Sequence, residues 1–250
     1  MEQAVKFSIG DLGSFYLNKE LANNYHLKNS LGKILEMSQL VAEGAVIFDV
    51  GANCGLFSSF VGLLKRPKQI VAFEADKAMA PIIKANLERV QSPCHVEFSG
   101  VGEISQTRNF FVNPISRQTN SFYESAVSPF LEGAEAEKHL VNVMSIDDFC
   151  SENDLYPSVL KVDVQGMEGE VFRGARKCLQ SVDQLFVEVS WLDMDSIGSI
   201  IPFAHHYGFG WLYVMNLVQG GADILLSRVR VDAAEKKQSR ETKLFKSCWI

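Results

Sequence analysis

VIFDVGANCG, residues 46–55, is the stretch on which the fold turns. Val46 to Val50 is a β-branched and aromatic run that reads as a strand. Gly51 to Gly55 is a glycine-bearing turn, and Leu56 to Leu64 is apolar at helical spacing until Lys65, Arg66 and Pro67 end it. Strand, turn and helix in that order place a ligand site at the strand's carboxyl end, because open α/β sheets bind where their winding reverses. The glycines let backbone approach a ligand in conformations other residues resist. A dinucleotide turn needs glycines two and then three positions apart. Here Gly51 and Gly55 are four apart, and Asn53 stands where that turn would carry its second glycine. The spacing disfavours NAD and suits a ligand with no pyrophosphate, such as S-adenosylmethionine (SAM).

The next strand, Gln69 to Phe73, ends on FEAD, residues 73–76. A carboxylate at Glu74 can accept both hydroxyls of an adenosine ribose, and Asp76 two residues later joins it as a cofactor-site candidate. Replacing Glu74 by alanine is expected to weaken cofactor binding with little loss of folding.

Outward from this unit the same rhythm recurs. A helix is expected around Pro81 to Val90, with proline tolerated in its first turn. His95 to Phe98 is a short strand. Gly102 to His139 is richer in Ser, Asn and Pro and is expected to form a hairpin plus a mobile loop. Ser145 is a capping residue for the helix that follows. Ser158 to Val164 is a strongly apolar strand, followed by Val171, Phe172, Ala175 and Leu179 at helical spacing. Leu185 to Val189 is a further strand, and Ile197, Ile200, Ile201 and Ala204 mark a helix ending near Gly208. Trp211 to Met215 and Ile224 to Val229 lack a helix-length connection and should pair antiparallel. Alternating elements imply helices on both faces of a mostly parallel sheet. The expected fold is therefore α/β, a Rossmann-like doubly wound sheet of seven strands, made mixed by its last hairpin. Residues 1–45 read as a helical extension packing on the core, with a helix at Leu31 to Leu40. Residues 46–230 form the main domain, and 231–250 a polar tail with five basic and three acidic residues.

Composition narrows the function classes. A net charge of −6 argues against a nucleic-acid groove built on general positive charge. No secretory signal and no membrane span are visible. Five scattered cysteines, never spaced C-x-x-C, suit a reducing cytoplasm and offer neither a disulfide framework nor a zinc site.

Six segments taken together resemble the FkbM-type methyltransferase family: VIFDVGANCG (46–55), VAFEAD (71–76), MSIDDF (144–149), LKVDVQGMEGEVFRGA (160–175), LFVEVS (185–190) and ADILLSR (222–228). The resemblance implies a class I SAM-dependent methyltransferase fold. It implies methylation of a hydroxyl on a small molecule, typically a sugar, polyketide or other natural-product scaffold. It also implies that Asp49, Gly51, Asn53, Gly55 and Glu74 line the cofactor pocket. One position departs, because the family usually has Glu where this chain has Gln165.

Methyl transfer to an alcohol requires alignment of the two reactants and removal of a proton. Asp163, at the carboxyl end of the strand beside the cofactor strand, is the candidate for that proton. It is also the candidate ligand for a divalent metal that would acidify the alcohol. Glu188, at the same end of the next strand, is a second catalytic candidate. Lys161 shares a strand face with Asp163 and is the partner that would steady it. Against these stand plainer roles: Asp163 and Glu168 as turn or cap residues, Glu188 as half of an ion pair, and Cys54 as packing. His205 and His206 read as helix-end residues. Asn120 to Glu124 is the candidate acceptor loop. An N-methyltransferase, a nicotinamide-dependent oxidoreductase and a non-catalytic SAM-binding protein remain the competing readings.

Overall fold

The structure is a computed structural model that describes residues 4–22, 27–190, 202–218 and 221–231. Its centre is a seven-stranded sheet in the order β11 (Trp211–Val218), β12 (Gly221–Ser227), β10 (Gln184–Ser190), β9 (Val159–Val162), β3 (Val46–Val50), β4 (Gln69–Phe73), β5 (Cys94–Glu97). β10, β9, β3, β4 and β5 run parallel. β12 is antiparallel to both β10 and β11, as the short connection between the last two strands requires. This is the doubly wound mixed sheet that the alternation of elements in the sequence predicts. The winding reverses between β3 and β9, and the glycine turn of residues 51–55 sits at that reversal.

Strand alternation divides the core. Phe48 and Val50 point to one face with Phe73, Leu160, Val162 and Leu185. There Phe48, Phe73 and Phe149 meet edge to face at centroid distances of 5.0–5.5 Å, an arrangement that aligns positive ring edges with negative faces. Helices α6 (Ile146–Asn153) and α7 (Glu168–Arg173) lie on that side. Ile47, Ile70, Val159, Phe186 and Leu225 point to the other face, under α2 (Leu27–Leu40) and α3 (Leu56–Lys65), with α4 (Ala80–Leu87) beside α3. The Ser145 hydroxyl caps α6 by accepting from Asp148 N, and Pro81 occupies the first turn of α4.

The N-terminal extension holds more than a helix. β1 (Ala4–Ile9) and β2 (Gly13–Asn18) form a hairpin, followed by the short α1 (Lys19–Ala22) and then α2. The buried Asn86 of α4 fastens that hairpin to the core. Its side chain accepts from Tyr16 N and donates to the carbonyls of Tyr16 and Cys54, each at 2.7 Å.

The segment after β5 forms a three-stranded sheet in the order β6 (Gly100–Val101), β8 (Glu137–Met144), β7 (Gln106–Val112). The hairpin expected there is β7 with β8. The connection between them, expected to be a mobile loop, is internally fastened instead. It carries α5 (Glu124–Val127), and Ser121 bridges back to Phe111. The fully buried Asn113 accepts from Ile115 N and donates to Thr119 and to the Phe130 carbonyl. The helix expected from Ile197 falls partly on residues 191–201, which lie outside the described residues. Its end is seen as a helical turn at 202–206 before Gly208, and both His205 and His206 are exposed there. The polar tail also lies outside the described residues.

Candidate active site

Gly51 and Ala52 both donate their amides to the Phe73 carbonyl at 3.0 Å, which folds the turn over the end of β4. Gly51, Asn53 and Gly55 all have positive φ, at 75°, 51° and 71°. Gly51 is required for a second reason. A Cβ there would lie 1.9 Å from the Asp163 carbonyl oxygen, so only glycine lets the cofactor turn close against the end of β9.

Glu74 is buried beneath this turn. One carboxylate oxygen accepts from Asn53 N at 2.6 Å and the other from Asp76 N at 2.7 Å. Burial raises its pKa, against the pull of those two amides, to about 7. Each oxygen keeps a lone pair for a ligand hydroxyl. Two more polar atoms are prepared for a ligand: Asn53 Oδ1 and Ser99 Oγ are buried without a hydrogen-bond partner, and both residues line the same cavity. That cavity, about 280 Å³, also takes in Gly51, Ala75, Gly100, Val101 and Phe122. A carboxylate with two free lone pairs, two orphaned polar atoms and a close backbone turn fit a nucleoside bearing a vicinal diol. The residues present fit SAM.

Three of the expected cofactor residues stand behind the wall rather than on it. Asp49 is fully enclosed, accepts from the Ser58 hydroxyl at 2.7 Å and pairs with Lys161 at 3.2 Å. Gly55 packs against Ile83 at the start of α3. Asp76 caps the turn that follows it and is held by Arg117 Nη1 at 2.6 Å and Asn120 Nδ2 at 3.2 Å. It therefore ties the β7–β8 connection to the cofactor strand.

Register explains the other end of the cavity. Asp49 stands opposite Lys161 in the β3–β9 ladder. One rung further, the β9–β10 register continued by one residue brings Asp163 level with Glu188, and Glu188 stands opposite Asp223. All share the sheet face covered by α2 and α3. The result is a row of three carboxylates above one lysine–aspartate pair. Lys161 Nζ donates to the Gly51 carbonyl at 2.7 Å and lies 3.6 Å from Asp163. Lys161 thus joins the cofactor turn to the carboxylate row, as a positioning residue.

Asp163 and Glu188 share a side-chain hydrogen bond, and the Gln165 amide donates to both at 3.1 and 3.0 Å. Gln165 adopts φ 52° to do so. A neutral amide here supplies two donors to two acids, which a glutamate at this position could not. Burial pushes Asp163 up, but Lys161 and Lys33 outweigh it and hold the carboxyl well below the usual range. The charge on Asp163, with burial second, pushes Glu188 in the opposite direction. Neighbouring like charges cannot both ionise freely, so Asp163 gives up its proton more readily than Glu188.

Glu168 turns back to accept from Val164 N and Gly166 N, closing the loop before α7, so the capping role describes it. Cys54 is buried among apolar side chains. From the candidate acceptor loop, Asn120 and Phe122 line the cavity, while the Tyr123 hydroxyl donates to Glu170. Among the described residues no group of three or more His, Cys, Asp or Glu is placed to hold a metal ion. Asp163 is faced by two ammonium groups and an amide donor, a set that competes with a cation, so the residues present do not fit a metal.

Two residues of the row escaped the sequence reading. Lys33, on α2, pairs with Asp223 at 2.6 Å and with Glu188 at 3.5 Å. Asp223 carried a signal, being an acid inside an otherwise apolar strand, Ala222 to Leu226. Lys33 carried none, since a lysine on an amphipathic helix ordinarily faces water.

The model of the FkbM methyltransferase domain matches residues 49–210, well over half of the chain. The chain belongs to the FkbM methyltransferase family. It is a SAM-dependent methyltransferase. Among solved structures, a candidate SAM-dependent methyltransferase of Streptococcus mutans is 8% identical at TM-score 0.52, over 90% of this chain and 55% of that one. A candidate transferase of Pyrococcus horikoshii is 12% identical at TM-score 0.50, over 90% and 71%. These two likenesses show the fold. A candidate RNA methyltransferase of the same archaeon is 15% identical at TM-score 0.47, over 84% and 90%. No curated protein sequence matches the chain. Among the described residues no helix is long and apolar enough to cross a membrane.

Proposed function

We propose that this FkbM methyltransferase transfers the methyl group of SAM to a hydroxyl oxygen of a small molecule, such as a sugar or polyketide scaffold, with Asp163 receiving the proton. The observation that carries the reading is the pair of acids at one end of the cavity, Asp163 and Glu188, joined by the Gln165 amide and with Lys161 3.6 Å from Asp163. Bound SAM supplies a methyl group already activated by its sulfonium. A neutral hydroxyl becomes far more acidic as its oxygen gains the new C–O bond. A carboxylate below the usual range is therefore a sufficient acceptor, provided it is already in hydrogen-bond reach. Asp163 is about 30% exposed on the cavity side and fixed by Lys161 and Gln165, which suits that task. Glu188 offers an O–H or an oxygen to a second hydroxyl of the acceptor.

An amine is served less well. Beside an ionised carboxylate it is held as ammonium, with the lone pair that must attack already occupied. A phosphate-bearing acceptor such as a nucleic acid meets a row of carboxylates, and the net charge of −6 opposes it further. The unbridged thiols of Cys94, Cys150 and Cys178 fit a reducing, cytoplasmic setting.

The test is transfer of label from methyl-labelled SAM to matched hydroxyl and amine acceptors, with Asp163→Asn beside the wild type. The reading expects label on oxygen and its loss in the variant. Label only on amines, or wild-type turnover by the variant, would remove it.

A further inference from the structure

Two cations face the acid row, and one of them, Lys33, comes from outside the segment that matches the family. Glu188 and Asp223 are directly opposite in an antiparallel pair and point to the same face. Like charges so placed destabilise a sheet. Lys33 Nζ lies between them, and its side chain is only 20% exposed. Both Lys33 and Asp223 fall outside residues 49–210.

We propose that Lys33, carried by the N-terminal helix α2, is a positioning residue that bridges Glu188 and Asp223 and supplies the cation that balances the acid row of Asp163, Glu188 and Asp223. The geometry is an alternating cluster. From the sheet come Asp49, Lys161 and Asp163 of β3 and β9, Glu188 of β10 and Asp223 of β12. From α2 comes Lys33, and Glu168 of α7 approaches from the loop side. Lys161 is already shared between Asp49, Asp163 and the Gly51 carbonyl, so it neutralises one carboxylate rather than three. Lys33 supplies the second positive charge. The three carboxylates raise its own pKa despite the opposing effect of burial, so it stays charged wherever they are ionised. The role of Asp163 as proton acceptor rests on the reading above, but the effect of Lys33 on its ionisation does not.

The experiment is a pH titration of the side-chain carboxyl carbons in protein labelled with ¹³C-aspartate and ¹³C-glutamate. The Asp163 and Glu188 signals are assigned by their loss in D163N and E188Q. In Lys33→Met the midpoints of the acid pair should rise by about 1 pH unit or more, since an opposite charge at this range shifts a carboxyl by roughly 1–3 units. Lys33→Arg should restore them. Thermal unfolding of each variant checks that it is folded. If Lys33→Met does not fold, Lys33→Gln is titrated in its place with the same expected rise. Wild-type midpoints in folded Lys33→Met or Lys33→Gln would overturn the inference. That holds even if D163N abolishes methyl transfer, and raised midpoints support it even if D163N transfers normally.

Discussion

The two ends of the cavity are built in opposite ways. The cofactor end is local: Gly51, Asn53 and Glu74 come from two consecutive strand–turn units within 24 residues. The proposed acceptor end is assembled from distant segments: Lys33 from α2, Asn120 and Phe122 from the β7–β8 connection, Asp163 from just past β9, and Glu188 and Asp223 from β10 and β12. The difference teaches that the first is set by backbone shape and the second by charge balance between segments that meet only in the folded protein. Damage to the first should appear as lost affinity or stability. Damage to the second should appear as lost transfer.

The sharpest break between them is Asp163→Asn. It should slow methyl transfer by about 10²–10⁴-fold, the range of a positioned proton acceptor, in a steady-state assay with labelled SAM. Gly51→Ala strikes where the two ends touch. Positive φ alone costs a side chain about 1–3 kcal/mol, and the clash with the Asp163 carbonyl adds to that. Chemical denaturation should show a loss of at least that size, and a wild-type midpoint would mean the turn does not press on β9.

Glu74→Ala comes next. It should weaken S-adenosylhomocysteine binding by about 1.5–3 kcal/mol, as a lost charge-assisted contact does. The sequence led to the expectation of little effect on folding, and the structure corrects this. Glu74 is the acceptor for Asn53 N and Asp76 N, so truncation also strands two backbone donors. Melting temperature should therefore fall together with affinity.

A fourth, smaller effect follows from the raised Glu74 pKa of about 7. Ribose hydroxyls donate to the ionised carboxylate, so affinity should increase as pH rises through 7. Between pH 8 and pH 6 it should drop by about tenfold, one pH unit below such a pKa leaving about a tenth of the group ionised. Folding stability moves the other way. The folded pKa lies above the ordinary 4.5, so the contribution of Glu74 is fully present below 4.5 and is lost as pH rises through about 7. Glu74→Gln should remove the pH dependence of binding, which calorimetry at the two pH values would show.

The smallest effect is Asp76→Asn, which does not itself line the cavity but loosens Arg117 and Asn120, which do. A partly exposed pair of this kind contributes up to about 1 kcal/mol. The change should raise KM for the acceptor modestly and leave kcat in place. A fall in kcat instead would place Asp76 nearer the chemistry.

The same contrast accounts for what the sequence disclosed. The sheet, its terminal antiparallel pair and the glycine turn were legible because strand periodicity and backbone dihedrals are local properties. Glu74, Asp163 and Glu188 were legible as acids at strand ends. The second-layer position of Asp49 was not, since it depends on Ser58 and Lys161 meeting it across elements. The β1–β2 hairpin also escaped, its hold on the core being the long-range bonds from Asn86. Ser99 gave no signal, because an unpartnered hydroxyl is defined only by what surrounds it.

The most direct test of the division is a calorimetric titration of the Asp163→Asn protein with S-adenosylhomocysteine. The account predicts the wild-type dissociation constant, because Asp163 serves the acceptor and its backbone carbonyl, which packs against Gly51, is unchanged. A loss of affinity comparable to that of Glu74→Ala would contradict it and make the cavity a single cofactor site with no separate acceptor end.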